Sequence, residues 1–227
     1  MPKKNEKLGY ACAYAPLVLI DAAGYTPYRI LPMSECPDQA GQLLHDNLCP
    51  HVKRILDRAI SKDLPDLAGA VFINSCDAMR RVCDAWRHVR PDDHIILLDL
   101  PAVSDDAAVA FFAAELARLM EALSVWCGRN ITDSDIETSI QQYNRLPPLF
   151  AGLRERLRQG TLAGGSTRMQ TLYNEAMMTP FAKSAQSLNQ ALAEPEPEDS
   201  DSGGIPVFLF GNVLADPEAM ALFESCG

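Results

Sequence analysis

Two short, continuously apolar segments place the strongest constraint on the fold. Residues 68–74 read AGAVFIN and residues 94–100 read HIILLDL, and a segment with helical spacing of apolar residues separates them. Short apolar runs of this kind are typical of strands that are buried on both faces of a parallel sheet. Because strand and helix alternate with short connections, the sequence predicts an α/β fold, a Rossmann-like parallel sheet with crossover helices.

Further elements precede this core. Pro16 opens a short apolar helix that Gly24 ends, and Pro50 opens a second helix. The segment 25–31 between them has strand character, and Pro27 within it indicates an edge strand.

After Pro101 the pattern changes to long amphipathic helices, which predict a helical extension of the sheet domain. The expected buried face of the first of these helices consists of Val109, Phe112, Leu116, Leu119, Leu123 and Trp126. An acidic, proline-rich linker follows, and residues 205–210 (IPVFLF) predict a fresh buried strand. We therefore expect a truncated chain with the following parts: a cluster-binding α/β domain at 1–103, a helical extension at 104–192, an acidic linker at 193–204 and the start of a second α/β domain at 205–227.

Composition excludes several classes of function. The net charge is −10, with five acids between Glu194 and Asp201, so binding to nucleic acid is not expected. No apolar run is long enough for a membrane span, and the lysine-rich start lacks the apolar stretch of a secretory signal. We therefore expect the reducing cytoplasm, where the seven cysteines are thiols or metal ligands.

Three cysteines stand at predicted helix starts. Cys12 lies four residues before Pro16, Cys49 directly precedes Pro50, and Cys76 follows the buried strand 68–74. Helix N-termini stabilise thiolates and offer N–H donors to an anionic iron–sulfur cluster, so these three residues could bind one [4Fe–4S] cube. The alternative is that they are buried thiols that only pack. Cys36, which also precedes a proline, competes with Cys49 for its role.

Several segments resemble the 2-hydroxyacyl-CoA dehydratase family, which also contains benzoyl-CoA reductase subunits and double-cubane cluster proteins. The resemblance begins in GYACAYAP (9–16) and LIDAAGYTP (19–27) and continues with Cys49-Pro50. It extends through NSCDAMRR (74–81), LDLP (98–101), FAAEL (112–116), Gly128 with Ile131-Thr132, and Tyr143-Asn144.

The resemblance implies a [4Fe–4S] cluster held by Cys12, Cys49 and Cys76. In the family, an ATP-dependent activator delivers one low-potential electron, and the acyl-CoA substrate loses water by way of a ketyl radical. The resemblance also implies a paralogous dehydratase subunit as partner. A second alternative is a double-cubane or benzoyl-CoA-reductase-type reductase component. A third is a non-catalytic remnant that binds a partner through its helices. Arg80 and Arg81 are candidates for contact with the phosphates of coenzyme A, and the alternative is that they form a solvated helix face.

Overall fold

The computed structural model describes residues 6–32, 38–197, 205, 207–210 and 214–226. It divides into two compact units, Met1–Ser139 and Ile140–Gly227. The first unit contains the sheet and the second is helical.

Four parallel strands form the sheet of the first unit, in the spatial order β2-β1-β3-β4. Each successive pair of strands is joined by a helix, which confirms the predicted α/β class. The strands are β1 (Lys7–Tyr10), β2 (Thr26–Arg29), β3 (Leu67–Asn74) and β4 (His94–Asp99). The connecting helices are α1 (Leu17–Ala22), α2 (Pro50–Ile60) and α3 (Asp77–Val89). The strand that contains Pro27 lies at an edge, as predicted.

Side chains alternate between the two faces of the sheet. Val71 and Ile73 of β3 belong to an apolar cluster with residues of α1. Phe72, between them, makes an edge-to-face contact with Trp86 of α3 at a centroid distance of 5.5 Å. Helices therefore cover both faces, which explains why β3 is apolar over almost its whole length. At Gly69 a Cβ atom would overlap the His94 carbonyl, so glycine allows β3 and β4 to approach closely.

Helix α4 (Asp106–Cys127) packs against β4 and belongs to the first unit. Leu119 and Leu123 are fully buried, as predicted. Val109 is 66% exposed, so its predicted place in the buried face is wrong. The reason is that the helix buries mainly its C-terminal half.

Two side chains of α4 cover the outer edge of β4. The Arg118 guanidinium donates a 2.6 Å hydrogen bond to the carbonyl of Leu97, and the Glu115 carboxylate accepts one of 2.9 Å from the amide of Asp99. These side chains form hydrogen bonds with backbone groups of β4 that an additional strand would otherwise pair with. Glu115 and Arg118 thus protect an exposed sheet edge.

The second unit contains α6 (Leu146–Arg158), α7 (Gly165–Ala176), α8 (Phe181–Ala193) and α9 (Pro217–Ser225). Helix α5 (Asp133–Tyr143) spans the division between the units. The core of the second unit is formed by Leu153, Leu162, Met169, Leu172, Leu188 and Ala191. The Arg156 guanidinium donates to the carbonyls of Ala191, Leu192 and Glu194 at 2.9–3.0 Å and thereby caps the end of α8.

The predicted buried strand at 205–210 is wrong for the residues that the structure describes in that segment. Ile205 and Val207–Phe210 have no strand conformation, and Phe208 and Phe210 are 89% and 94% exposed. An apolar strand is stable only when neighbouring strands satisfy its backbone, and these residues have no such neighbour in the described part of the chain. Across the described residues, no helix combines the length and apolar character needed to cross a bilayer.

Candidate functional site

The carboxyl edge of the sheet carries two of the three cysteines that the sequence singles out. Strands β1 and β3 are neighbours and end at Tyr10 and Asn74. Cys12 and Cys76 each follow their strand by two residues, so both lie at the edge where parallel α/β sheets bind ligands. The Cys12 thiol donates a 3.2 Å hydrogen bond to the Ser75 hydroxyl. The structure therefore brings Cys12 into contact with the turn that carries Cys76.

Cys76 and Cys49 occupy equivalent positions on two helices. Each is the N-cap residue, Cys76 of α3 and Cys49 of α2, and each has extended backbone angles. Neither side chain makes a capping hydrogen bond, and both thiols are exposed. The first-turn N–H groups of α2 and α3 are therefore not capped by these cysteine side chains.

A cavity lies between α3 and the loop that precedes α2. Leu48, the residue before Cys49, and Asp77, the residue after Cys76, line one cavity of about 470 Å³. Neither Cys49 nor Cys76 lines this cavity, whose other walls include Arg81, Asp84 and His88 of α3.

The candidate cysteines do not form a site for a single metal ion among the described residues. In the described ranges, no three His, Cys, Asp or Glu side chains stand close enough together to hold one metal ion. A [4Fe–4S] cube binds each thiolate to a different iron, so its ligands stand farther apart than those of a single ion. Thiolates are the ligands that such a cube takes, and the structure places two of the three candidates, Cys12 and Cys76, at one edge of the sheet. The competitor Cys36 lies outside the described residues.

Of the remaining described cysteines, Cys83 and Cys127 are buried and Cys226 is exposed. Burial raises the pKa of the Cys83 thiol to about 11, which leaves it protonated inside α3. Cys127 is fully buried and donates to the carbonyls of Ser124 and Arg129. Cys226 is exposed at the end of α9, in the second unit.

Tyr10, Arg29 and His51 form a group of buried and half-buried side chains, and Tyr10 and His51 each lie two residues from a candidate ligand, Cys12 or Cys49. Burial raises the pKa of Tyr10 above its usual value, and the charge of Arg29 partly opposes that shift. Burial lowers the pKa of His51, and Arg29 lowers it further, so the imidazole is neutral at pH 7. The Nδ1 atom of His51 is buried and has no hydrogen-bond partner in the described structure. Sequence reasoning missed this group because its members come from β1, β2 and α2.

A second polar network includes Asn74 and Arg80, which lie before and after Cys76 in the chain. The Asn74 amide donates a 2.6 Å hydrogen bond to the Asp99 carboxylate at the end of β4. The Asn74 oxygen accepts a 3.3 Å hydrogen bond from Nε of Arg80. Arg81, by contrast, forms ion pairs with Asp77 and with Asp84 at 3.6–3.7 Å. The network thus holds one guanidinium, that of Arg80, next to the Cys76 turn.

These features define a class: an α/β protein with two cysteines, Cys12 and Cys76, at the carboxyl edge of a parallel sheet. The family model described as 2-hydroxyglutaryl-CoA dehydratase, D-component, matches residues 12–227, and the chain belongs to this family. The chain is also similar to a benzoyl-CoA reductase subunit of Thauera aromatica, with 28% identity over 155 residues. That match covers 66% of this chain and 40% of the relative, so the chain spans less than half of that relative's length.

Proposed function

We propose that this chain is the [4Fe–4S]-cluster-binding component of a 2-hydroxyacyl-CoA dehydratase-like system, with Cys12, Cys49 and Cys76 as the ligands. The contact between Cys12 and Ser75 carries the proposal, because it links two cysteine-bearing ends of neighbouring strands. Membership of the dehydratase family supports the same assignment. When bound, the cluster would supply low-potential electron transfer and an iron with an open coordination position.

The residues around the cysteines suit an anionic cofactor. The first-turn N–H groups of α2 and α3 lie beside Cys49 and Cys76, and their partial positive charge favours bound anions. The Arg29 guanidinium adds a full positive charge near Tyr10 and His51. The ligand thiols must stay reduced until the cluster is assembled, so the proposed compartment is the cytoplasm.

The proposed substrate is an acyl-CoA. Arg80 is the residue suited to contact the coenzyme A phosphates, because Asn74 orients its guanidinium beside the site. Arg81 is less suited, since Asp77 and Asp84 already pair with it. The overall reaction proposed is elimination of water from a 2-hydroxyacyl-CoA after one-electron reduction by an ATP-dependent activator. A paralogous dehydratase subunit would be the partner in this system.

The alternative is a reductase component of the benzoyl-CoA reductase or double-cubane type. The similarity to a benzoyl-CoA reductase subunit favours this second candidate. Counting iron and sulfide separates the cluster types, because a single cube contains about four of each and a double cube about twice as many.

Anaerobic reconstitution with ferrous iron and sulfide tests the ligand assignment. Cys12→Ser, Cys49→Ser and Cys76→Ser should each lower iron content and weaken the visible absorption of the cluster. Cys226→Ser is the matched control, since it removes an exposed thiol from the second unit. Wild-type iron content in all three site variants would refute the assignment. If Cys36→Ser loses iron and Cys49→Ser retains it, Cys36 and not Cys49 is the third ligand.

The third possibility, a non-catalytic protein that binds a partner, predicts no iron at all. A chain that remains colourless after reconstitution, while folding as judged by circular dichroism, would favour that interpretation. The exposed apolar residues 207–210 would then be the first surface to test for partner binding.

A further inference from the structure

The hydroxyl of Ser75 lies against the sulfur of Cys12. The Cys12 Sγ to Ser75 Oγ distance is 3.2 Å, although the two residues are 63 positions apart in the chain. The Ser75 amide also donates a 2.8 Å hydrogen bond to the carbonyl of Ile73, so the turn that carries the hydroxyl is held at the end of β3. Ser75 therefore faces a proposed ligand atom of one strand from the end of the neighbouring strand.

Ligation of Cys12 would change which atom donates in this contact. In the free thiol, the S–H group of Cys12 donates and the Ser75 oxygen accepts. A ligating thiolate has no proton and can only accept, whereas the Ser75 hydroxyl still has a proton to donate. The same two atoms then form an O–H to sulfur hydrogen bond.

We propose that Ser75 is a positioning residue that donates this hydrogen bond to the Cys12 sulfur and thereby raises the reduction potential of the bound cluster. The inference rests on the proposed function, since it requires Cys12 to be a ligand. Hydrogen bonds to the sulfurs of a cluster are one of the means by which proteins set its potential.

The direction of the effect follows from charge. Reduction adds one electron to the cluster, with no bond formed or broken in the protein, and the electron comes from the external reductant. The added negative charge is shared with the ligand sulfurs. A hydrogen bond to such a sulfur stabilises the reduced state more than the oxidised state, because hydrogen bonds to more highly charged acceptors are stronger.

Ser75→Ala tests the proposal by anaerobic potentiometric titration of the reconstituted chain, followed by the visible spectrum and electron paramagnetic resonance. The expected result is wild-type iron content with a lowered potential. The equilibrium constant for reduction should fall up to about tenfold, and tenfold corresponds to about 59 mV for one electron. Ser75→Thr keeps a hydroxyl and should restore the potential.

The test includes a control variant at Ser61 and a pair of Ser75 variants that have the same shape. Ser61→Ala removes a hydroxyl at the opposite end of α2 from Cys49 and should leave the potential unchanged. If Ser75→Ala takes up less iron than the wild type, Ser75→Thr and Ser75→Val replace it, since they differ in the hydroxyl and not in shape. The valine variant should then have the lower potential.

Different results would refute the proposed cluster binding and the proposed role of Ser75. A wild-type chain that binds no cluster refutes the proposed function and this inference with it. A wild-type chain that binds a cluster, together with a Ser75→Ala variant of unchanged or raised potential, refutes only the role of Ser75. Equal potentials of the threonine and valine variants would have the same meaning.

Discussion

The Asn74 amide and the Asp99 carboxylate form a 2.6 Å hydrogen bond that ties the carboxyl end of β3 to that of β4. Asn74 also accepts a hydrogen bond from Arg80, while the amide of Asp99 donates to Glu115. Two strands and two helices are thus connected by side chains close to Cys76. The turn that presents Cys76 is therefore held from several elements at once.

Asn74→Ala should destabilise the first unit by about 1–2 kcal/mol, because it removes both hydrogen bonds of the amide. Urea unfolding followed by tryptophan fluorescence measures this, since both tryptophans of the chain, Trp86 and Trp126, lie in that unit. The control is Asn189→Ala, whose amide donates to the Ala185 carbonyl in α8 of the second unit. A transition equal to that of the wild type in Asn74→Ala would contradict the role of this contact.

A buried carboxylate holds the loop before α2. Asp57 is fully buried and accepts hydrogen bonds from the amides of Gln39 and Ala40 at 2.9 and 2.7 Å. Asp57→Ala should therefore cost about 1.5–3 kcal/mol and speed hydrogen exchange at these two amides. Asp46→Ala removes a carboxylate that is 93% exposed and should change stability by less than about 0.5 kcal/mol. Unchanged exchange at residues 39 and 40 in Asp57→Ala would contradict this account.

The sequence predicts those strands whose own residues are nearly all apolar. Strand β3 is apolar over almost its whole length, and its burial on both faces makes it recognisable. Strand β1, Lys7–Tyr10, is not predicted, because Leu8 and Tyr10 are separated by glycine and preceded by lysine. Its conformation comes from pairing with β2 on one side and β3 on the other, which is a tertiary effect.

Part of the candidate site is likewise predictable from local sequence. Cys12, Cys49 and Cys76 stand out because each precedes a helix, and the resemblance to a family adds to that signal. Glu115 has the pattern of an ordinary polar position of a helix, yet its carboxylate accepts the amide of Asp99 from a strand 16 residues earlier. No local pattern marks such a contact, since it exists only once α4 packs on β4.

Burial of Asp21 predicts a pH dependence of stability. Burial raises the pKa of this carboxyl above its ordinary value of 3.8, and a hydrogen bond from Ser139 opposes the shift. The folded state then holds the proton more tightly than the unfolded state. Stability therefore falls as pH rises from about 3.8 through the raised pKa. Asp21→Asn should remove this loss, and its free energy of unfolding should fall less with pH than that of the wild type.

Urea unfolding followed by tryptophan fluorescence at several pH values from 4 to 7 gives this comparison. The Asn side chain keeps an oxygen that accepts the Ser139 hydroxyl, so the packing is preserved. Parallel pH curves for the wild type and Asp21→Asn would show that the folded state does not perturb this carboxyl.

Asp135 should give stability a pH dependence of the opposite sign to that of Asp21. The backbone and side chain of Thr132 and the Arg129 guanidinium lower its pKa to about 2 by hydrogen bonding. Its stabilising contribution is present above the unfolded value of 3.8 and is lost as pH falls toward 2. Asp135→Asn should therefore reduce the acid sensitivity of the first unit, as measured by fluorescence between pH 2 and 5. A variant that unfolds with the wild-type acid transition would contradict this assignment.

The end of α8 provides a prediction for the second unit. Arg156 donates to the carbonyls of Ala191, Leu192 and Glu194, and its second terminal nitrogen donates to that of Thr161 at 2.6 Å. Carbonyls at a helix end have no partner within the helix, so Arg156→Ala should leave them unsatisfied and cost about 1.5–3 kcal/mol. Hydrogen exchange should increase in the last turn of α8.

Arg156→Lys should recover only part of this loss, because an ammonium group lacks the planar fork that reaches all these carbonyls. The control is Arg158→Ala, whose guanidinium is 72% exposed and pairs with Glu155 within the same helix. Exposed pairs of this kind contribute little to stability, so exchange in α8 should stay at the wild-type rate. Hydrogen exchange with mass spectrometry measures all three variants. Equal exchange in Arg156→Ala and Arg158→Ala would show that the cap does not stabilise the helix end.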